Sequence, residues 1–277
     1  MAGGKETPRQ KMVGLMYLVL LALLALQVSS AIISKFQFLN ESLEMSNLNA
    51  ENLNFDAIKR IEGAVVKNKN AKEDVLVLEQ SKALRKKTNE VKTYLAELKK
   101  QLILKAGGVK DENGNYPGAS EEEPIAQVML GSGEGKNGKG QILKKHLNEY
   151  IQYLNKFSKS QKLEEKFTSI ALDGKEDPIF MNDPEQKNKS FSQLNFESTP
   201  LVAALAVLSE KEAQVLSMES LLLNKMAMRV GAINIPVDKV RPVVNSSTSY
   251  VVAGMEYQAD MFMACLLYTS DAADEED

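Results

Sequence analysis

Residues 12–34 read MVGLMYLVLLALLALQVSSAIIS, 23 residues without a charge between Lys11 and Lys35. As a helix rising about 1.5 Å per residue the stretch would be roughly 34 Å long, enough for a hydrocarbon core of about 30 Å. Lys5, Arg9 and Lys11 lie on its N-terminal flank with only Glu6 against them. Basic flanks stay on the cytoplasmic side. The pattern therefore predicts a cytoplasmic N-terminus at 1–11, a transmembrane helix at 12–34, and everything from residue 35 onward beyond the membrane.

A cleaved signal peptide is the rival reading. The unbroken apolar run Leu15–Leu26 has the length of a signal core, about 7–15 residues, and Ser29-Ser30-Ala31 offers a small-x-small site. However, apolar character resumes at Ala31-Ile32-Ile33, and a helical pattern continues through Phe36, Leu39 and Leu43 with no turn signal. The expectation is a retained anchor. Arg9, three positions before the run, can reach the headgroups cheaply, and inside a bundle of partner helices it would need a carboxylate. Tyr17 carries the only hydroxyl in the first half of the span; alone it reads as an interfacial aromatic. Gln27, Ser29 and Ser30 can hydrogen-bond to a neighbouring helix.

The net charge of −3, from 34 basic and 37 acidic residues, gives no basic face and argues against nucleic acid. One cysteine, Cys265, excludes intramolecular disulfides. One histidine, His146, cannot build a His/Cys zinc site, and any Ser-His-Asp set would have to use it. No catalytic, metal or cofactor residue is assigned.

Past the anchor, 36–66 reads as a helix with Leu39, Leu43, Leu48, Leu53, Ile58 and Ile61 as loosely spaced apolar positions, broken by Lys67-Asn68-Lys69-Asn70. From Ala71 to Ala106, Leu84, Val91 and Leu98 recur every seven residues, with Leu95 and Leu102 between them. Thr88 is the weak position of this coiled-coil-like seam. Residues 107–124 are a loop by composition. The next helix, from about Gln141 to Ser158, buries Leu143, Leu147, Tyr150, Leu154 and Phe157. A shorter helix is expected to carry Leu163, Phe167 and Ile170. Residues 173–198 are loop-rich, with Phe191 and Phe196 plugging the core. Thr199-Pro200 reads as N-cap and N1 of a helix running to Arg229, apolar all round from Leu201 to Leu208 and closed by Gly231. The fold class is mainly α: a single N-terminal transmembrane helix and a helical bundle at 35–230. Residues 231–264 read as the start of a β-sandwich-like domain. There Val240–Val244 is extended, and Ser249–Val252 with Met255–Met261 forms a hairpin. Residues 265–277 lose the alternation and read as a foreign or disordered tail.

One stretch imitates a nucleotide site. Ile125–Leu130 is a short apolar run, and Gly133–Lys139 satisfies G-x-x-x-x-G-K, the spacing that cradles phosphates. Residue 140 is Gly where a Ser or Thr would hold Mg²⁺, so a flexible loop between helices is the better reading.

The block MAGGKETPRQKMVGLMYLVLLALLALQVSSAIISKFQFLNESLE resembles the GldM/PorM family, the single-pass subunit of the gliding-motility and type IX secretion motor of Bacteroidetes. The likeness is specific over 1–45 and looser to about residue 264. It implies a bacterial inner-membrane protein with its bulk in the periplasm, a helical first domain, and later β-domains reaching an outer-membrane secretion ring, most of them absent here. The resemblance also implies that two anchors pass through a ring of L-subunit transmembrane helices, so that proton-motive force drives rotation. The family's intramembrane Arg falls on Arg9, facing a Glu of the L subunit, and its Tyr on Tyr17. Two other readings stand beside it. One is a membrane-anchored periplasmic adaptor or sensor dimerised by the Leu84–Leu102 seam; the other is an exported hydrolase using His146.

Overall fold

The computed structural model describes residues 8–112, 114–131, 137–232, 240–246 and 259–265; the side chains of 8, 22–29 and both C-terminal segments also lie outside the description. Contacts divide the chain into a unit at 1–232 and a second at 233–277.

The uncharged stretch and the segment after it form one helix, α1 (Pro8–Lys67), 60 residues or about 90 Å long. Pro8 opens it, where a missing N–H costs nothing. The turn at 68–70 closes it, with Lys69 and Asn70 in the left-handed region at φ 56° and 55°. Helix α2 (Lys72–Lys105) returns alongside, with Glu73 and Asp74 in its first turn complementing the helix dipole. It stops at Gly107 and Gly108, whose φ of 115° and 104° suit residues without a Cβ.

Helix α2 buries Val77, Ser81, Leu84, Thr88, Val91, Leu95, Leu98 and Leu102, an unbroken alternation of four- and three-residue steps. The seam seen in the sequence is real, but it is consumed within the chain, between α2 and its neighbours. Thr88 is in the seam because its hydroxyl sits 2.9 Å from that of Tyr150 on helix α4 (Lys139–Ser160). The adaptor reading loses its dimer contact by this burial.

The apolar positions assigned to 36–66 need a larger correction. Leu39, Leu48 and Leu53 are 47%, 58% and 64% exposed. Towards the bundle α1 buries Asn40, Asn47 and Asn54 instead, joined further on by Ala57, Ile58, Ile61 and Val65. The cause is the surface opposite, helix α6 (Leu201–Arg229), which presents backbone carbonyls, Ser209 and Glu219 to α1. α6 itself buries Leu201–Ala206, Leu208, Val215, Leu216, Leu222, Leu223 and Met226, the pattern expected of a central helix.

Two short helices close the end of the bundle where α2 finishes. Helix α3 (Glu123–Met129) covers all but the last residue of the short apolar run Ile125–Leu130. Helix α5 (Phe191–Phe196) starts with a reciprocal Ser190–Gln193 capping box and buries Phe191 and Phe196. Thr199 does not cap α6. Its hydroxyl donates to the Asn195 and Glu197 carbonyls, Pro200 is the N-cap, and the Leu201 and Val202 amides are satisfied by the Glu121 and Ala119 carbonyls. The helix expected over Leu163–Ile170 is also absent. Asn155 pairs through its side chain with both the N–H and C=O of Phe167, and Ser158 Oγ donates to the Leu163 and Glu165 carbonyls. Side chains have taken the backbone groups a helix would need.

In the second unit β1 (Val240–Ser246) pairs antiparallel with β2 (Ala259–Cys265), Val240 opposite Cys265 and Ser246 opposite Ala259. Of the expected hairpin at 249–261, residues 249–258 lie outside the described residues; the later strand pairs with 240–246, and Cys265 ends a strand rather than beginning a tail. The apolar run Met261–Cys265 supplies the extension. Residues 1–7, the strand expected at 249–252, and 266–277 lie outside the described residues.

Candidate functional site

The seam between α1 and α6 is built from amides. Asn47 Nδ2 donates to the Ser209 carbonyl at 2.8 Å, Asn54 Nδ2 to the Leu216 carbonyl at 3.0 Å, and Asn68 Nδ2, just past α1, to the Val230 carbonyl at 3.3 Å. Every one of these pairs is separated by 162 residues, so the two helices run parallel in a single register. Ser209 Oγ adds a bond to Asn40 Oδ1 at 2.7 Å. A helix carbonyl already accepts from the N–H four residues on, and the side chain there shields its second lone pair. Four residues beyond Ser209 and Leu216 stand Ala213 and Ser220, small enough to leave that lone pair open.

One carboxylate fastens a third helix to this pair. Glu219 is fully buried; its Oε2 accepts from Arg85 Nη1 of α2 at 2.7 Å and from Asn54 Nδ2 of α1 at 2.9 Å. Arg85 Nη2 reaches Glu51 Oε1 at 3.1 Å, and Lys92 meets the same oxygen. Glu219 Oε1 has no hydrogen-bond partner. Burial therefore raises the Glu219 pKa above the ordinary carboxylate value, against the opposing pull of the Arg85 charge and the Asn54 amide. Burial likewise pushes the Tyr150 phenol up.

Helix α2 runs antiparallel to α1, through Lys82–Glu62 and Lys99–Glu44, while α4 runs antiparallel to α2, through Thr88–Tyr150 and Tyr94–His146. The bundle thus receives α1 at one end, and α6 finishes at the other. Its near end is tied to α1 by Lys110 on Glu41 at 2.7 Å and by Gln37 Nε2 on the Gly114 carbonyl at 2.9 Å.

Arg9 and Tyr17 both lie on the N-terminal half of α1 and are exposed, eight residues and about 80° of helical turn apart. Met12, Leu15, Met16, Leu18 and Leu21 around them are each more than half exposed. Among the described residues no helix is long and apolar enough to cross a membrane. Residues 22–29, the middle of the uncharged run, have no described side chains, so that statement does not cover the run as a whole.

His146 is exposed and stacks on Tyr94, ring centroids 4.5 Å apart. Among the described residues no three His, Cys, Asp or Glu side chains gather where they could hold a metal. The glycines of the phosphate-loop imitation have packing roles. A Cβ on Gly138 would lie 2.1 Å from the Met129 carbonyl oxygen, and one on Gly140 would lie 2.5 Å from Ser192 Oγ. Lys139 is engaged by Gln101. The preceding run is helical, so the strand–loop–helix frame of a phosphate cradle is not there; residues 132–136 lie outside the described residues.

The asparagine ladder and Glu219 escaped the sequence reading, although Asn40, Asn47 and Asn54 are spaced by sevens. Asn is ordinary on a helix surface, and only the facing carbonyls give it an inward role.

A long helix runs into a bundle whose first and last helices are parallel, so α1 enters at one end and α6 finishes at the other. A model of the GldM N-terminal domain matches residues 31–229, the last residue being the last of α6, and the chain belongs to that family. Membership ties it to the gliding-motility and type IX secretion machinery. No curated protein sequence matches the chain.

Proposed function

We propose that the chain is the single-pass inner-membrane subunit of that machinery, with no chemistry of its own. Residues 12–34 stay threaded through the bilayer, residues 1–11 remain in the cytoplasm, and the bundle stands in the periplasm. Arg9 and Tyr17 face a ring of L-subunit transmembrane helices, where protonation of an acidic partner switches the attraction to Arg9 and turns proton-motive force into movement. The bundle passes that movement along α1 and α6 toward β-domains that begin past residue 231 and lead to the outer-membrane ring. Two copies work as a pair.

The observation that carries this reading is the continuity of α1: the uncharged stretch and the first bundle helix are one helix without a break at Ser29-Ser30-Ala31, where a signal peptide would need an extended site. Motion of one is motion of the other. The test is Arg9→Ala in cells. Complex assembly should persist while protein export and gliding stop, and normal export by that variant would remove Arg9 from the mechanism. A mature chain beginning near residue 31 would remove the anchor itself.

A further inference from the structure

Helix α2 descends beside α1 in a fixed register. Lys92 meets Glu51 and Lys99 meets Glu44, seven residues further along one helix and seven back along the other. Another seven put Ala106, the last residue before the glycines, level with Gln37, whose amide donates to the Gly114 carbonyl at 2.9 Å. Gln37 stands three residues beyond Ser34, the end of the uncharged stretch, a rise of about 4.5 Å along a helix. The headgroup layer outside a hydrocarbon core of about 30 Å is roughly 5–8 Å deep on each side. With the anchor seated, the foot of α2 and the turn after it stand within that layer. The exposed surface changes at the same height. Among the described residues, 77–103 of α2 expose no large apolar side chain, yet Leu104 is 59% exposed and Val109 73%. Lys105 is exposed between them, and Phe38 is exposed on α1 beside Gln37.

We infer that this end of the bundle rests on the phospholipid surface, with Leu104 and Val109 dipping into the headgroup layer and the Lys105 ammonium reaching lipid phosphate. The inference rests on the anchored reading and adds to it a contact outside the span. Apolar side chains gain by leaving water at such a boundary, and a lysine stem can lie along them while its charge stays wet. A lipid surface fits better than a protein partner, because Phe38, Leu104 and Val109 come from two helices and a turn and share one height rather than one groove. Lys35, Lys105 and Lys110 stand at this height against Glu41, Asp111 and Glu112. That balance leaves apolar insertion as the main attraction and suits a largely zwitterionic layer. The turn is braced from behind, by Lys110 on Glu41 at 2.7 Å and by the Asp111 amide on the Asn115 carbonyl at 2.8 Å, which leaves Val109 facing outward.

The chain has no tryptophan, so one introduced by substitution reports alone. The full chain carrying Val109→Trp, Leu76→Trp or Val19→Trp is reconstituted into vesicles of phosphatidylethanolamine and phosphatidylglycerol. Leu76 is exposed near the start of α2, far from the anchor, and Val19 lies inside the span. Phospholipid bearing a nitroxide on its headgroup should quench Val109→Trp several-fold more than Leu76→Trp, and aqueous iodide should quench it less. Adding Leu104→Asp and Lys105→Glu to the Val109→Trp chain should bring the lipid quenching down toward the Leu76 level. The melting temperature should not change, since both positions are exposed. The inference is overturned if the lipid quenches Val109→Trp no more than Leu76→Trp, which would assign this end to a protein partner, or if the added substitutions leave the quenching undiminished. Val19→Trp, read with a nitroxide deep in the acyl chains, separates the two readings. Quenching there without quenching at Val109 sinks the lipid contact alone. Quenching at Val109 without it sinks the anchor alone, and quenching at neither sinks both.

Discussion

The amide nitrogen of Asn54 lies 2.9 Å from Oε2 of Glu219 and 3.0 Å from the Leu216 carbonyl, so a single side chain of α1 answers both the backbone of α6 and its buried charge. Asn54→Ala should remove both bonds and leave the carboxylate short of a donor, at a cost of about 2 kcal/mol. For a unit of this size that corresponds to a fall in melting temperature of roughly 4–8 °C. Asn49→Ala, on the exposed side of the same helix, should change stability by less than about 0.5 kcal/mol. Equal effects from the two variants would show that the ladder contributes nothing.

Arg85 and Glu219 should behave as a buried pair. Truncating Arg85 to Ala strands the Glu219 charge, and truncating Glu219 leaves Arg85 with Glu51 alone, at a loss of up to about 3–5 kcal/mol in each case. Replacing both at once, Arg85→Met with Glu219→Leu, should be milder than either single truncation. Chemical denaturation of the four proteins gives the coupling. Additive losses would mean the two charges are satisfied independently.

Much of the bundle was legible because its signals are apolar and periodic. The seam from Leu84 to Leu102, the all-round apolar start of α6, and the plugs Phe191 and Phe196 all stand where hydrophobic spacing put them. The part of α1 from Asn40 to Asn54 was misread because its bundle face there is amide and its free face carries leucine, the reverse of the usual pattern, whereas Ile58 and Ile61 are buried as expected. Residues 161–170 were misread for another reason. Apolar residues three and four apart suggested a helix, yet Asn155 and Ser158, on the preceding helix, capture the backbone and hold it extended. Neither side-chain bond has a local sequence signature. The displaced N-cap of α6 likewise depends on carbonyls of Ala119 and Glu121, about 80 residues earlier in the chain.

Stability against pH should carry the mark of Glu219. Its folded pKa is raised, so the folded state holds the proton more tightly than the unfolded chain does. Its contribution is therefore most favourable in acid and is lost as pH rises from the unfolded value of 4.5 through the higher folded value. Glu41 has the opposite sign: the Lys110 hydrogen bond lowers its pKa, giving stability that is present above 4.5 and lost as pH falls through the folded value. The difference in unfolding free energy between the wild type and Glu219→Gln should thus shift in favour of the glutamine as pH rises above 4.5. A pH-independent difference would place the carboxyl in an ordinary solvated setting.

Gly140→Ser restores the residue that a phosphate-binding loop would have at this position. Its Cβ would meet Ser192 Oγ at 2.5 Å and the Met129 carbonyl oxygen at 2.9 Å. The expected outcome is a loss of about 1–3 kcal/mol from overpacking, with no thermal shift on adding nucleotide and Mg²⁺. Stabilisation by nucleotide would reopen the rejected reading.

The shared direction of α1 and α6 settles how the joint bears load. A pull toward the N-terminus of α1, resisted at the C-terminus of α6, acts along the overlap as in a lap splice. The rungs at Asn47, Asn54 and Asn68 are then strained together in shear, whereas in a hairpin tugged from its open end they would peel apart one by one. Rupture would have to defeat every rung at once, which makes this short overlap a stiff coupling.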